Sequence, residues 1–357
     1  MELHIAGGFL GSGKTTAIAA AAESLIAADK RVGIVTNDQG KYLVDTAFFR
    51  ALKLPAVEVT GGCFCCNYDD LDARLAELEA TAHPDIIFAE SVGSCADIVA
   101  TVIKPLMQLS VRPASLSVFA DSRLLLQRLR GLPLPFSDDV VYVFDAQIEE
   151  AGLLVVNKTD LLLPADLAEL QALVAARWPD KRACFQNARA ENGVTGWLAL
   201  LQRTAPQPDR PPLEIDYARY GAGEGDLAWM DMTVTVRLPD HDGRTFVHAL
   251  ATAVDAALQR DGIAVGHLKL ATVNAPEQVK ISLTSVRDSA WAESLPPLKT
   301  DFLSLIVNLR AQAPAETLER LARAALEKAC AAQGASVTDS ALDAFHPGFP
   351  NPTHRLA

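Results

Sequence analysis

Three short stretches of this 357-residue chain carry residue types that could do chemistry together. The first, Gly8-Phe9-Leu10-Gly11-Ser12-Gly13-Lys14-Thr15, fits the eight-position phosphate-loop pattern, with an apolar run before it and a helix-forming run after it. Gly8, Gly11 and Gly13 let the backbone curl around Ser12 so that successive N–H groups face phosphate oxygens, and a helix N-terminus adds its partial positive charge. Lys14 would supply a point charge to the β- and γ-phosphates, and the Thr15 hydroxyl a ligand for Mg2+. A glycine-rich turn that binds nothing is the competing reading, and the flanking strand and helix argue against it.

The second stretch, Asn157-Lys158-Thr159-Asp160, closes the apolar run Leu153–Val156. An aspartate there can accept two hydrogen bonds from the N1–H and exocyclic amine of guanine. Adenine offers no such pair of donors and would leave the carboxylate desolvated and unpaired. The third is Cys63-Phe64-Cys65-Cys66, three of the six cysteines within four residues, after Gly61 and Gly62. Thiolates are soft ligands favoured by zinc and copper(I), and three converging sulfurs leave one tetrahedral position open. No fourth cysteine lies nearby; Glu58, His83 or Cys95, water or a second subunit could complete the shell. A redox pair at Cys65-Cys66 and plain packing are the duller alternatives, whereas Cys184 and Cys330 read as core residues.

Between these lie two supporting stretches. Ile86–Glu90 is an apolar strand ending in an acid, where a second carboxylate beside Mg2+ belongs, and Gly93 is placed for its N–H to meet the γ-phosphate. Asp85 would lie at the far end of that strand and is not assigned to the metal. Asn37-Asp38-Gln39-Gly40 follows another strand, and Asp38 either orients Mg2+ or the attacking water, or is a turn residue.

Elements of an α/β domain must position these residues. Apolar runs at Leu3–Ala6, Val32–Thr36, Val57–Thr60, Ile86–Ala89, Ser115–Ala120, Leu153–Asn157 and Ala183–Gln186 alternate with helical stretches such as Thr15–Ala28, the pattern of a largely parallel sheet. Val140–Phe144 reads as strand by propensity yet leads into helix-like sequence. A proline-rich segment, Thr204–Pro212, and the glycine-rich Gly221–Gly225 mark a linker. Beyond it, strands at Met230–Leu238, Val265–Val273, Val279–Val286 and Phe302–Leu309 alternate with helices at Phe246–Arg260 and Pro314–Gln333, a smaller α+β unit. The expected division is 1–205, a linker over 206–226, a second domain over 227–345 and a proline-rich tail over 346–357. His241, Asp242 and His248 read as surface polar residues.

Composition sets the outer limits. With 32 basic and 44 acidic residues the formal net charge is −12, which lacks the electrostatic footprint of a nucleic-acid or anionic-membrane binder. Half the residues are hydrophobic and mean hydropathy is +0.15, so sizeable cores are expected. No apolar run reaches the eighteen or so residues of a spanning helix. The N-terminus has no basic leader region, so the expectation is a cytoplasmic protein with reduced cysteines.

Taken in order, Gly8–Thr16, Asn37–Gly40, Gly62–Cys66, Glu90–Gly93, Gln147-Ile-Glu-Glu-Ala151 and Asn157–Leu161 resemble the CobW-type metal-homeostasis GTPases, relatives of the UreG and HypB nickel-insertion proteins. The likeness covers roughly residues 1–205. It implies a SIMIBI-class P-loop NTPase, a Rossmann-like sheet with helices on both faces, and slow hydrolysis of GTP to GDP and phosphate. Its phosphate-loop match extends to Thr16. It implies a transition metal, zinc or cobalt, at Cys63, Cys65 and Cys66, delivered to a client protein, with a nucleotide-dependent homodimer as a further expectation. The chain departs from the pattern at Asp38, where the family carries glutamate, and at Val92, where it carries serine or threonine. The family's histidine-rich tracts are absent. Two alternatives stand beside metal delivery: a GTPase that gates insertion of a corrinoid or other metallocofactor, and a non-catalytic metal buffer or sensor.

Overall fold

The computed structural model describes residues 1–40, 44–203, 211–273, 279–286, 290–293 and 295–357. Pro206–Arg210 of the expected linker lie outside the described residues. The chain divides into two compact units, one of residues 1–39, 52–224 and 349–357, the other of residues 40–51 and 225–348.

The first unit is built on seven parallel strands: β1 (Glu2–Gly8), β2 (Val32–Asn37), β3 (Ala56–Val59), β4 (Ile86–Glu90), β5 (Ala114–Asp121), β6 (Leu153–Asn157) and β7 (Arg182–Phe185), in the order β3-β2-β4-β1-β5-β6-β7. Every residue of β4, β5 and β6 is buried, as continuous apolar runs must be when helices cover both faces. Helices connect the strands: α1 (Lys14–Ala27), α2 (Val44–Ala51), α3 (Tyr68–Ala82), α4 (Lys104–Gln108), α5 (Ser122–Leu129), α6 (Asp138–Glu149), α7 (Pro164–Arg177), α8 (Thr195–Arg203) and α9 (Tyr217–Gly225). The chain winds outward in one direction from β1 to β3 and in the other from β4 to β7. With right-handed crossovers, that reversal puts α1 and α3 on opposite faces and opens a crevice beside the carboxyl end of β1.

Register brings the functional stretches to that crevice. Glu90 lies alongside Ala6 of β1 and Thr36 of β2, while Asp121 lies alongside Asn157. Ambiguity at Val140–Phe144 resolves as helix, since the segment lies within α6. Ser137 caps it by accepting from the Val140 N–H, Asp138 and Asp139 sit in its first turn, and Val140, Val143, Phe144 and Gln147 form its buried stripe. Cap and period outweigh β-propensity there. Gly221–Gly225 is not a flexible joint but the end of α9, where a β-carbon on Gly223 would run into the Asp139 carbonyl.

The second unit is a five-stranded antiparallel sheet of β8 (Ala228–Arg237), β9 (Ala264–Val273), β10 (Lys280–Leu283), β11 (Phe302–Gln312) and β12 (Ser336–Phe345), ordered β10-β9-β11-β8-β12. With it come α10 (Gly243–Arg260) and α11 (Ala315–Gln333), over a core that includes Met230, Val234, Leu250, Leu268, Leu305 and Leu318. Strand β12 had no apolar alternation to announce it, because six of its ten residues are exposed. The units also depart from the chain-order division. Residues 40–51 join the second unit, where α2 is fastened by the Asp45 ion pairs to Lys269 and Lys280 and by the Val44 N–H donating to Asn308 Oδ1 at 3.0 Å. His241, Asp242 and His248 do not converge: His241 pairs with Asp301, Asp242 caps α10, and His248 stacks on Trp291. No described helix is long and apolar enough to cross a membrane.

Candidate functional site

Gly8 ends β1 at φ 119°, and a β-carbon there would collide with the carbonyl oxygen of Phe119. Gly13 (φ 91°) precedes α1 and leaves its N-terminus without a side-chain cap, so the first-turn amides face the crevice. Lys14 opens the helix and is buried, its Nζ donating to the Gly8 carbonyl at 2.7 Å and the Phe9 carbonyl at 3.5 Å. Ser12 Oγ is buried with no hydrogen-bond partner among the described residues. An orphaned hydroxyl, an uncapped helix and a collar of glycines together fit a polyphosphate. The Thr15 hydroxyl donates to Glu90 Oε1 at 2.9 Å, which sets two hard oxygen donors side by side and suits Mg2+. Thr16 is half-buried in the first turn. Gly93 packs on the phosphate loop, a β-carbon there coming within 2.6 Å of Leu10 Cδ2. Asp38 follows β2, its N–H donating to the Val59 carbonyl at 3.3 Å, two residues past the one that lies alongside Glu90.

On the other side of β1, Asn157 ties the two loops together. Its Nδ2 donates to the Ser12 carbonyl at 3.0 Å and its Oδ1 accepts from the Ala188 N–H at 3.2 Å. Lys158 takes a left-handed conformation (φ 63°) and pairs with Asp121 Oδ2 at 3.0 Å. Burial alone would push the Asp121 carboxyl up, but the charges of Lys158 and Arg123 outweigh it and hold it below the ordinary value. Asp160 is exposed, and its carboxylate makes no hydrogen bond or ion pair among the described residues. It is therefore open to a ligand's paired donors. Asp121 and the Gln186–Ala188 turn, which completes this edge by holding Thr159 and Asn157, carry no motif of their own.

The cysteine loop hangs on Asn37. That carboxamide donates to the Val59 carbonyl at 3.1 Å and the Gly62 carbonyl at 2.7 Å, and accepts from the Phe64 N–H at 2.8 Å. The loop then winds into α3, with the Cys66 and Asn67 N–H groups both donating to the Cys63 carbonyl. Sulfur separations are 2.8 Å for Cys63–Cys65, 3.3 Å for Cys63–Cys66 and 3.8 Å for Cys65–Cys66. Two sulfurs sharing a tetrahedral zinc would stand about 3.8 Å apart. These three form the metal-ligand grouping among the described residues, and none is in a disulfide. Hydrogen bonds from Cys65, Cys66 and Cys95 hold the Cys63 thiol well below its ordinary value, while Cys63 in turn pushes Cys66 up to about 11. Sulfurs grouped this closely give a soft cation a place to replace protons.

Of the three residues open as a fourth ligand, two are placed elsewhere. His83 is exposed at the far end of α3, about 20 Å along that helix from the cysteines at ~1.5 Å per residue. Glu58 sits within β3, outside the grouping. Cys95 is buried and lies outside the three-cysteine grouping. Unforeseen is Glu224 of α9. It is buried, accepts from Ser94 Oγ at 2.7 Å, and is pushed up to about 8 by burial and by the Cys63 charge. The tail does not dangle: Thr353 donates to the Cys65 carbonyl from N–H (2.8 Å) and to the Cys66 carbonyl from Oγ1 (3.0 Å).

Residues 2–184 match the family described as CobW/HypB/UreG, nucleotide-binding domain. Over 217 residues the chain is 29% identical to the zinc chaperone CobW of a Sinorhizobium species, covering 54% of this chain and 60% of that relative. The urease accessory protein UreG of Aliarcobacter butzleri is 32% identical over 218 residues, 56% of this chain and 98% of UreG. Among solved structures, the hydrogenase maturation factor HypB of Archaeoglobus fulgidus aligns with 18% identity and a TM-score of 0.41, over 57% of this chain and 89% of HypB. The family match spans the strands and loops that carry the phosphate loop, the cysteine loop and the Asn157–Asp160 turn, and by it this chain is a member of the CobW/HypB/UreG family of P-loop GTPases.

Proposed function

We propose that this protein is a GTP-hydrolysing metallochaperone that holds a transition metal, zinc or cobalt, at Cys63, Cys65 and Cys66 and hands it to a client protein. The observation that carries the reading is the Asn37 carboxamide. Asn37 is the last residue of β2, the strand beside Glu90, and its three hydrogen bonds hold the cysteine loop. A shift of the β2 terminus must therefore drag the sulfurs with it. Backbone N–H groups of residues 8–16 would cradle the triphosphate, with Lys14 balancing charge on the departing γ-phosphoryl. Thr15 and Glu90 would hold Mg2+, which would neutralise phosphate charge when bound. Asp38 would align the attacking water, and Gly93 would meet the γ-phosphate through its N–H. Asn157, Lys158 and Asp160 would select guanine; Asp160→Ala should lose on the order of 100-fold in preference for GTP over ATP. Hydrolysis yields GDP and phosphate, releases the loops around Gly93 and Asp38, and loosens the metal.

By reciprocity, GTP must change metal affinity by the factor by which metal changes GTP affinity. Titrating zinc or cobalt into protein saturated with a slowly hydrolysed GTP analogue, and separately with GDP, tests the reading. Different affinities are expected, and identical ones would remove the switch. The zinc named for the CobW relative and for the YeiR relative supports a metal cargo.

A further inference from the structure

Residues 349–357, Phe-Pro-Asn-Pro-Thr-His-Arg-Leu-Ala, belong to the first unit although they follow β12 in the chain. Pro350 and Pro352 carry no N–H, so Asn351 and Thr353 supply the backbone donors of residues 350–353. Both go to the cysteine loop. The Asn351 N–H meets Cys66 Sγ at 3.4 Å, and the Thr353 N–H donates to the Cys65 carbonyl at 2.8 Å. The Thr353 hydroxyl adds a bond to the Cys66 carbonyl at 3.0 Å, and the His354 ring stands edge-on to Tyr68, the first residue of α3, with centroids 5.1 Å apart. Anchors hold the segment on either side. Phe349 packs on α9, where a β-carbon on Gly221 would come within 2.2 Å of its ring. Arg355 Nε donates to the buried Asp97 carboxylate at 2.7 Å, its Nη2 to the Leu213 carbonyl at 3.1 Å, and the Leu356 N–H to the Ala100 carbonyl at 2.9 Å. Between the anchors Asn351 and Thr353 are exposed, so the grip on the loop is three hydrogen bonds at the surface. Such an attachment opens locally without unfolding the domain.

We propose that residues 349–357 are a strap over the cysteine loop, and that the Cys65 and Cys66 carbonyls with Cys66 Sγ form a docking line for an extended peptide segment of the metal-receiving partner. That the partner receives metal rests on the function proposed above; the strap rests on its own contacts. The strap also defines the chemistry that fits. It is a backbone N–H aimed at the sulfur and, two residues on, a serine or threonine that gives both its N–H and its hydroxyl to the carbonyls. Proline between the two keeps such a segment extended and lowers the entropy lost on docking. Strap and partner segment need the same acceptors, so one must lift before the other binds. Lifting withdraws a hydrogen-bond donor from Cys66 Sγ and uncovers that sulfur in one movement, which makes docking and access to the thiols a single event.

The test follows alkylation of Cys66 by iodoacetamide in the reduced, metal-free full chain, with the buried Cys184 of β7 as internal control. Thr353→Pro deletes the amide and hydroxyl donors together and should speed Cys66 labelling by about tenfold or more. Thr353→Val keeps the amide and should fall between that variant and wild type. Arg355→Ala, which loosens the far anchor, should speed labelling too. Unchanged rates in Thr353→Pro and Arg355→Ala would overturn the strap, and so would an equal rise at Cys184, the mark of general loosening. A synthetic peptide of residues 349–357, added at millimolar concentration, should slow Cys66 labelling in Thr353→Pro protein, whereas the same peptide carrying Thr353→Pro should not. No difference between the two peptides would overturn the docking line. Because labelling needs no metal, a Cys63/Cys65/Cys66→Ser triple variant that kept full metal affinity would remove the metal reading and leave the strap standing.

Discussion

Lys14 and Arg310 are both basic side chains buried within their own sheet unit, yet the two sheets treat them differently. Arg310 is fully buried, donates to Asp231 Oδ1 at 2.7 Å and to the Met230 and Leu309 carbonyls, and lies 4.1 Å over the Trp229 ring. Asn308 donates to the same Asp231 oxygen. Lys14 is met by carbonyls of its own glycine loop, beside an orphaned Ser12 hydroxyl and an uncapped helix. An antiparallel sheet can bury a charge by answering it with a counter-charge, which makes the pair structural. The crevice at a parallel sheet's carboxyl edge is where such folds bind ligands, and the proposed function uses the lysine there as a binding group.

That contrast can be broken at its strongest point first. Arg310→Met strands the Asp231 carboxylate in the core and should cost about 3–5 kcal/mol by denaturant unfolding, whereas pairing it with Asp231→Leu should recover most of that loss. Nucleotide affinity should be unchanged; a loss of GTP binding would give the second sheet a role in the site. Lys14→Ala is the mirror experiment. It should lower GTP turnover by about 10²–10³-fold with little change in unfolding midpoint. A large stability loss would mean the lysine is structural too. Asn37→Ala sharpens the comparison within the first unit, since it removes a wholly used buried amide. It should cost about 1–3 kcal/mol and also weaken metal binding by roughly tenfold, whereas a purely structural asparagine would change only the former.

Over a single pH unit, the smallest effect concerns Glu224 in metal-free protein. Its folded value of about 8 lies above that of an unfolded glutamate, so between those limits the native state holds a proton that the unfolded state has released. Stability contributed by that proton is fully present below the unfolded value and declines with rising pH by about 1.4 kcal/mol per unit until pH 8. Glu224→Gln should flatten this slope between pH 6 and pH 7, and an unchanged slope would mean another group carries it.

How much of this was legible in the sequence depended on whether chemistry and neighbours were local. The phosphate loop, the cysteine triplet and the Asn157–Asp160 turn are contiguous, so spacing alone announces them, and the five inner strands of the first sheet show as apolar runs because both faces are buried. The hold of Gln147 on the Gly93 and Cys95 carbonyls has no sequence signal, since the two partners lie more than fifty residues apart. Asp121 and Glu224 had no signal, because a buried acid far along the chain looks like any other. Strand β12, mostly exposed, lacks alternation, and α9 was mistaken for a joint because its glycines serve close packing.

The residues that cross the cysteine loop have a consequence for anything that approaches the sulfurs. Cys66 is the most open of the three, and the Asn351 N–H points at its Sγ from 3.4 Å while Thr353 grips the carbonyls of Cys65 and Cys66. Prying Thr353 away forfeits two hydrogen bonds at about 1 kcal/mol each, a factor near thirty in equilibrium. A visitor that brings its own amide and hydroxyl to those same two carbonyls would recover both hydrogen bonds and meet no such handicap.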